Sequence, residues 1–389
     1  SGPGVAPEVL FTPKGGPFTA PFTLQLSSRP TNASIRFTLD GRLPTRDSPL
    51  YTAPLLITNT AHVRARTYQE GLLPGPPRSE AYLLLHSNVL EFTSTLPLLV
   101  MHTFGKDLPT STDDSFVHLS LFEPAQEQTS LTNPPTLTTR GGFHIRGSSS
   151  SGMPQSSFAL QFLDEFNENQ NHALLGLPAD SDWVLYAPNH FEPVKIHNPF
   201  VHQLSRDMGR YSPRTRFLEV YLARHAGPVS ARDYHGIYVL EEKIKIGKQR
   251  VNIDRLGPGD LQPPAVTGGY LLKIDRLGPD ESGFGAAGAS MVYVDPKEQV
   301  IRLPQRYAQR QFLQTFFNDF DRALHGPNWK DPILGYPAFI DENAWIDFHV
   351  LEVLSGNVDA LNLSTFLHIP RAGKITFGPH WDFDRALGS

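Results

Sequence analysis

Proline and glycine set the limits on what this chain can fold into. There are 35 Pro and 31 Gly among 389 residues, so most stretches soon meet a residue that ends a helix or turns a strand. Between the breaks, Phe22–Leu26, Ser34–Leu39 and His62–Tyr68 alternate apolar with polar, the period of a half-buried strand. Asp40-Gly41 is a tight-turn signal. The spacing predicts a small β-sandwich over residues 9–86. Residues 1–8, opening Ser1-Gly2-Pro3-Gly4, read as a cloning scar or a disordered leader. The Pro- and Gly-rich Gly71–Ser79 leads into a last strand at Ala81–Leu85, and a second domain is expected over 92–389.

That second stretch begins as strands. Leu96–Thr103 is an apolar run of strand length, and Phe116–Phe122 alternates and should pair near it. Gly142–Arg146 leads into a Gly/Ser turn, which is either a phosphate cradle of exposed N–H groups or a plain loop. Ser157–Phe162, Trp183–Leu185, Thr215–Leu222, His235–Glu242 and Gly268–Arg276 read as further strands. Lys273 and Asp275 share one strand face, where they serve a nucleotide or pair with each other. Gly283–Gly288 fits G-x-G-x-x-G, but a strand follows rather than a helix, so a Gly-rich hairpin loop is expected. Helices are expected at Phe200–Met208, at Pro304–Leu324, where an aromatic stripe repeats at three and four, and from an Asp341 N-cap to Leu354. His349 on the last is expected to be packed.

Composition removes several function classes. Apolar residues are 39% and charged residues 19%, a globular balance. The net charge of −5 leaves no basic footprint for nucleic acid. With no Cys, disulfides, thiolate catalysis and Cys-ligated zinc are excluded. The 15 His form no H-E-x-x-H pattern, which argues against a zinc enzyme. No signal peptide is recognised and no run reaches membrane-spanning length.

The chemistry concentrates near the end. Asp359 precedes a strand, Gly turn and strand over Phe366–Ile375, and Asp382 follows it. A hairpin brings its ends together, so the two carboxylates are expected to meet. Phosphoryl transfer needs such a pair, one to position the attacking group and one to hold Mg²⁺ on the phosphates. The bland alternative is two aspartates in turns, where Asp is common.

Two resemblances sharpen this reading. Ile35–Thr45, Ser48–Tyr51 and Val63–Ala65 resemble the accessory β-sandwich at the C-terminus of chitobiases and β-hexosaminidases. From residue 92 onward, an ordered set of motifs resembles the spore coat protein H (CotH) kinase family: Ile145-Arg146-Gly147-Ser148-Ser149, Asp182–Leu185, Asn198, Arg214–Val220, Gly236–Leu240 with Glu242-Lys243-Ile244, Gly268–Asp275, Asp359, and Trp381-Asp382-Phe383-Asp384. The resemblance implies a multidomain chain: a small all-β sandwich, then an α+β atypical protein-kinase-like domain using ATP and Mg²⁺. Asp359 then matches the catalytic aspartate. Asp382, Asp384 and Asn362 are the candidate metal ligands. Arg146, Gly147 and Ser148 match the phosphate-side turn, with Glu242 and Lys273 near the nucleotide.

The family resemblance further implies a secreted or surface-associated bacterial enzyme phosphorylating Ser or Thr of a protein substrate. The sandwich would serve as a spacer or associate with the cell surface or polysaccharide. This sequence departs from the family pattern at three places. Gln155 stands where members carry Lys, His197 where they carry Arg, and Ser364 where a kinase places a metal-binding Asn. Members also usually continue beyond this C-terminus, so truncation is an open expectation. Adenylylation, amino-acid ligation such as glutamylation, and an inert surface or coat scaffold therefore stay open.

Overall fold

The computed structural model describes residues 4–106, 110, 113–147, 152–189, 192–278 and 281–388. They form two compact units, one of residues 1–187 with 216–241, the other of 188–215 with 242–389.

The first unit opens with a β-sandwich. Strands β1 (Val9–Thr12), β3 (Phe22–Ser28) and β5 (Leu55–Ile57) form one sheet, and β2 (Gly16–Phe18), β7 (Arg78–Leu84), β6 (Ala61–Tyr68) and β4 (Ser34–Thr38) the other. Val9, Phe11, Leu24 and Leu26 from the first sheet meet Ile35, Val63, Ala65 and Tyr82 from the second in one core. The period-two burial of β1 and β3 places their alternate residues inside, as a two-layer fold requires. Gly41 turns at φ +77, and a Cβ there would lie 2.2 Å from His62 Nδ1, so only glycine fits. Residues 4–8, expected as scar or disordered leader, are instead held: Ala6 N–H donates to the Leu73 carbonyl at 2.9 Å and Ala6 is buried.

Seven strands of the same unit close into a barrel. They are β8 (Leu98–His102), β9 (Ser115–Phe122), β10 (Leu137–Arg146), β11 (Ser157–Leu163), β12 (Asp182–Tyr186), β13 (Thr215–Ala223) and β14 (Tyr234–Glu242), arranged in the order β10-β11-β12-β14-β13-β8-β9. Closure leaves no unpaired edge. β8 pairs with β9 as expected, Leu98 opposite Phe122. Inside, Met101, Val117, Phe143, Phe158, Trp183 and Tyr238 are fully buried. The sandwich seats on the barrel through His62, stacked between Phe104 and Phe116 at 5.3 and 5.2 Å. Ser79 Oγ also donates to Glu165 at 2.6 Å.

The second unit is a mixed layer. A five-stranded sheet runs β16 (Phe284–Ala286), β17 (Ala289–Asp295), β15 (Tyr270–Ile274), β18 (Thr365–Ile369) and β19 (Thr376–Phe377). Helices α1 (His197–Asp207), α2 (Glu298–Ile301), α3 (Tyr307–His325) and α4 (Glu342–Ser355) complete it. Leu313, Phe317 and Phe320 of α3 share a core with Tyr270, Leu272 and Leu367 of the sheet, so the aromatic stripe is packing. The Gly-rich segment is the β16–β17 hairpin. α1 starts earlier than its sequence suggests, because Glu192 accepts the His197 N–H at 2.6 Å and satisfies the first turn. No helix among the described residues is long and apolar enough to cross a membrane.

Candidate active site

The second unit gathers the C-terminal carboxylates. Asp341 caps α4, accepting the Ala344 N–H at 3.1 Å, a contribution of about 1 kcal/mol. Gly356, left-handed at φ 60, ends the helix. The buried stripe of α4 is Ala344, Phe348, Leu351, Glu352 and Ser355. It leaves His349 exposed, a correction to its expected packing. From Gly356 the chain turns through Asp359, whose carbonyl accepts from Asn362 N–H at 3.1 Å and Leu363 N–H at 3.0 Å.

The hairpin then returns the chain. Leu367 lies opposite Phe377 and His368 opposite Thr376. Its second strand is shorter and later than the sequence suggests, because Ile375 pairs with Ile340 and accepts the Asp341 N–H at 3.0 Å. This ties the start of α4 to the end of the hairpin. Ser364, just before β18, donates its hydroxyl to Asp382 Oδ2 at 3.0 Å. The two ends of the segment therefore meet.

Asp382 adopts φ 68, a left-handed conformation that Asp tolerates better than most residues. The residues around it are pinned. Asn198 on α1 accepts the Phe383 N–H at 2.7 Å, and Phe383 is buried with Val201 and Ala386. His380 stacks on Phe348 at 4.5 Å and bonds Ser205 Oγ at 3.0 Å. Burial holds its imidazole down to about 4, so it is a neutral packing group.

The electrostatics are one-sided. Burial raises Asp384 to about 7, and the neighbouring charges of Asp382, Asp359 and Glu192 push the same way against Arg385. Asp359, Asp382 and Asp384 thus share one field, in which carboxylates outnumber the one cation acting on Asp384, Arg385. Such a donor set fits Mg²⁺, which takes one or two carboxylates and completes its shell with water and phosphate oxygens. Asp382 and Asp384 would hold it. Among the described residues no group of three or more His, Asp or Glu side chains is placed to hold a metal ion, so the protein would offer Mg²⁺ at most this pair.

The remaining candidates fall elsewhere. Asn362 is exposed, and its amide reaches only the Ala360 carbonyl at 3.4 Å. Ser364 makes the Asp382 contact, although sequence reasoning selected Asn362. The spacing of Ser364 from Asp359 was the available signal. Lys273 pairs with Asp275 at 2.7 Å. Glu242 is fully buried and its carboxylate is engaged by protein donors: Arg214 Nε at 2.8 Å, Arg214 N–H at 3.0 Å, Tyr211 Oη at 3.3 Å, and Arg250. It organises two guanidinium groups. Arg146 ends β10 and Gly147 follows at φ 98, both in the first unit; Ser148 lies outside the described residues. Gln155, also in that unit, donates its amide to the Ile237 carbonyl at 2.7 Å.

Residues 143–389, more than half of the chain, match the family model described as CotH kinase protein. The chain belongs to that family. Residues 13–76 match the chitobiase/beta-hexosaminidase C-terminal domain. No curated protein matches the chain.

Proposed function

We propose that this chain is an ATP- and Mg²⁺-dependent transferase with an α+β protein-kinase-like domain over 92–389, phosphorylating Ser or Thr of a protein substrate. The observation that carries the reading is the shared field of Asp359, Asp382 and Asp384, drawn together by the Ser364–Asp382 hydrogen bond. In this reading Asp359 orients the substrate hydroxyl and takes its proton as the oxygen attacks the γ-phosphorus, whose bond to the β–γ bridging oxygen breaks to release ADP. Asp382 and Asp384 hold the metal, and Ser364 fixes which Asp382 oxygen faces it. When bound, Mg²⁺ would neutralise charge on the phosphates. Arg146, Gly147 and Ser148 are the proposed phosphate-side turn. The protein acts outside a bacterial cell or on its surface. The sandwich, residues 9–86, sets the catalytic domain against a surface or its polysaccharide.

Gln155 favours a second reading. A neutral amide bonded to Ile237 stands where the family carries a Lys, and this supports slower or different nucleotide chemistry, such as adenylyl transfer or amino-acid ligation, or an inert scaffold. Calorimetry with ATP, with and without Mg²⁺, on the protein and on Asp382→Ala tests the site. Mg²⁺-dependent binding that disappears in the variant is expected. Absence of binding in both proteins would overturn the transferase reading in favour of the scaffold. Radiolabel passing to protein from γ- but not α-labelled ATP is expected for a kinase, and passage from the α position would mark an adenylyl transferase.

A further inference from the structure

A carboxylic side chain sits where α4 needs an apolar one. Glu352 is 5% exposed and lies in the same buried stripe as Ala344, Phe348 and Leu351. A buried carboxyl without a job is costly. Its partner is Asn357, whose Nδ2 donates to Glu352 Oε2 at 2.8 Å. The backbone repeats the link, with Asn357 N–H donating to the Glu352 carbonyl at 3.2 Å. At its other end the Asn357 amide oxygen accepts the N–H of Asp359 at 3.2 Å. The side chain of Asn357 is thus held at both ends. It spans from the last turn of α4 to the residue whose carboxylate is the proposed base.

We propose that Glu352 is a positioning residue, setting the turn that carries Asp359 by fixing the amide of Asn357. Gly356 makes the device necessary. A left-handed glycine ends the helix cleanly but leaves the following residues free in direction. The Glu352–Asn357–Asp359 chain removes that freedom. Burial keeps the Glu352 carboxyl in its neutral form up to about 7, so a neutral amide of the same shape can replace it. A glutamine offers Oε1 to the same Asn357 Nδ2 donor. An isosteric leucine keeps the packing and loses the bond.

The role in catalysis rests on the transferase reading; the role in ordering the turn does not. Hydrogen exchange separates them. Amides of 357–363 in Glu352→Leu and Asn357→Ala are expected to exchange at least about tenfold faster than in the parent protein. Those in the interior of α4 stay unchanged, and Glu352→Gln exchanges as the parent does. In the ATP- and Mg²⁺-dependent transfer assay, Glu352→Leu is expected to lower kcat by roughly 10- to 100-fold with KM for ATP little changed. Glu352→Gln is expected to restore it. Parental exchange over 357–363 in both Glu352→Leu and Asn357→Ala would overturn the proposal. So would a glutamine variant as impaired as the leucine. A parent protein with no transfer activity would sink the transferase reading, and exchange would still decide the ordering of the turn.

Discussion

The barrel unit and the C-terminal unit both bury imidazoles held neutral, His202 and His380 among them in the C-terminal unit, but the C-terminal unit adds carboxyls that burial pushes up. In the first, His62, His102 and His118 are enclosed and held neutral, His102 down to about 4 and His118 to about 3, mainly by burial. Neither ring nitrogen of His62 has a protein hydrogen-bond partner among the described residues; the ring serves as a flat surface between Phe104 and Phe116. In the second unit Glu352 and Asp384 are pushed up to about 7. Burial acts on both sets alike, disfavouring the charged form. The difference lies in the surroundings. The imidazoles pack against aromatic rings, His102 also accepting the Phe104 N–H at 3.1 Å, whereas Asp384 is crowded by the carboxylates of Asp382, Asp359 and Glu192.

The largest expected effect would come from removing the proposed base. Asp359→Asn should lower the transfer rate by roughly 10²- to 10⁴-fold while leaving Mg²⁺-dependent ATP binding in place, which parallel radiolabel and calorimetry measurements would show. Loss of binding together with rate would assign Asp359 to the metal set instead and erase the distinction between it and Asp382.

Stability variants probe the two units separately. Phe158→Ala in the barrel core should cost about 3–5 kcal/mol. Glu242→Ala should cost a similar 3–5 kcal/mol, because it strips the counter-charge from Arg214 and the buried Arg250. Both are read from urea unfolding. A cost below about 1 kcal/mol for Glu242→Ala would mean that the two guanidinium groups find other partners.

The pH dependence should have two limbs, one from each kind of group. An imidazole whose folded value is depressed contributes stability that is present above its unfolded value and lost as pH falls through the folded one. Stability should therefore drop below about pH 6.5 and continue toward about 4 and 3, the folded values of His102 and His118. A carboxyl whose folded value is raised works the other way. Its contribution is complete below its ordinary range and declines as pH rises through about 7. Glu352→Gln should remove its share of this upper limb and leave that of Asp384, raising stability at pH 8 by up to about 3 kcal/mol relative to the parent. An unchanged upper limb would mean that Glu352 ionises without penalty.

The smallest expected effect is at Ser364. Loss of its hydrogen bond to Asp382 in Ser364→Ala should weaken Mg²⁺-dependent nucleotide binding by about 1 kcal/mol, near fivefold. Asn362→Ala should leave it unchanged, because its side chain reaches only Ala360. A larger effect from Asn362 than from Ser364 would reverse the assignment made from the hydrogen bonds.

Much of the scaffold is legible in the order of residues. The strands at Phe22, Ser34 and His62, the β8–β9 pair, the Gly-rich hairpin before Met291 and the Asp341 cap follow from alternation and turn chemistry, both local properties. The meeting of the segments around Asp359 and Asp382 is also legible, because a hairpin fixes the distance between its ends. Other features depend on neighbours remote in the sequence. His349 is exposed because the turn count of α4 gives the core to Phe348 and Glu352. Asn362 loses the Asp382 contact to Ser364 because the turn after Asp359 folds back on itself.

The sequence by itself determined the alternation of strands, the caps and the family to which the chain belongs, since these depend on residue type and spacing along the chain. Only the tertiary structure decided that seven strands close into a barrel and that Asn198 holds the backbone of Phe383. It also decided that Glu242 is occupied by Arg214 and Arg250, and that Glu352 reaches Asp359 through one asparagine. Burial and hydrogen-bond partnership are properties of three-dimensional neighbours, and the linear pattern of a buried glutamate is the same as that of an exposed one.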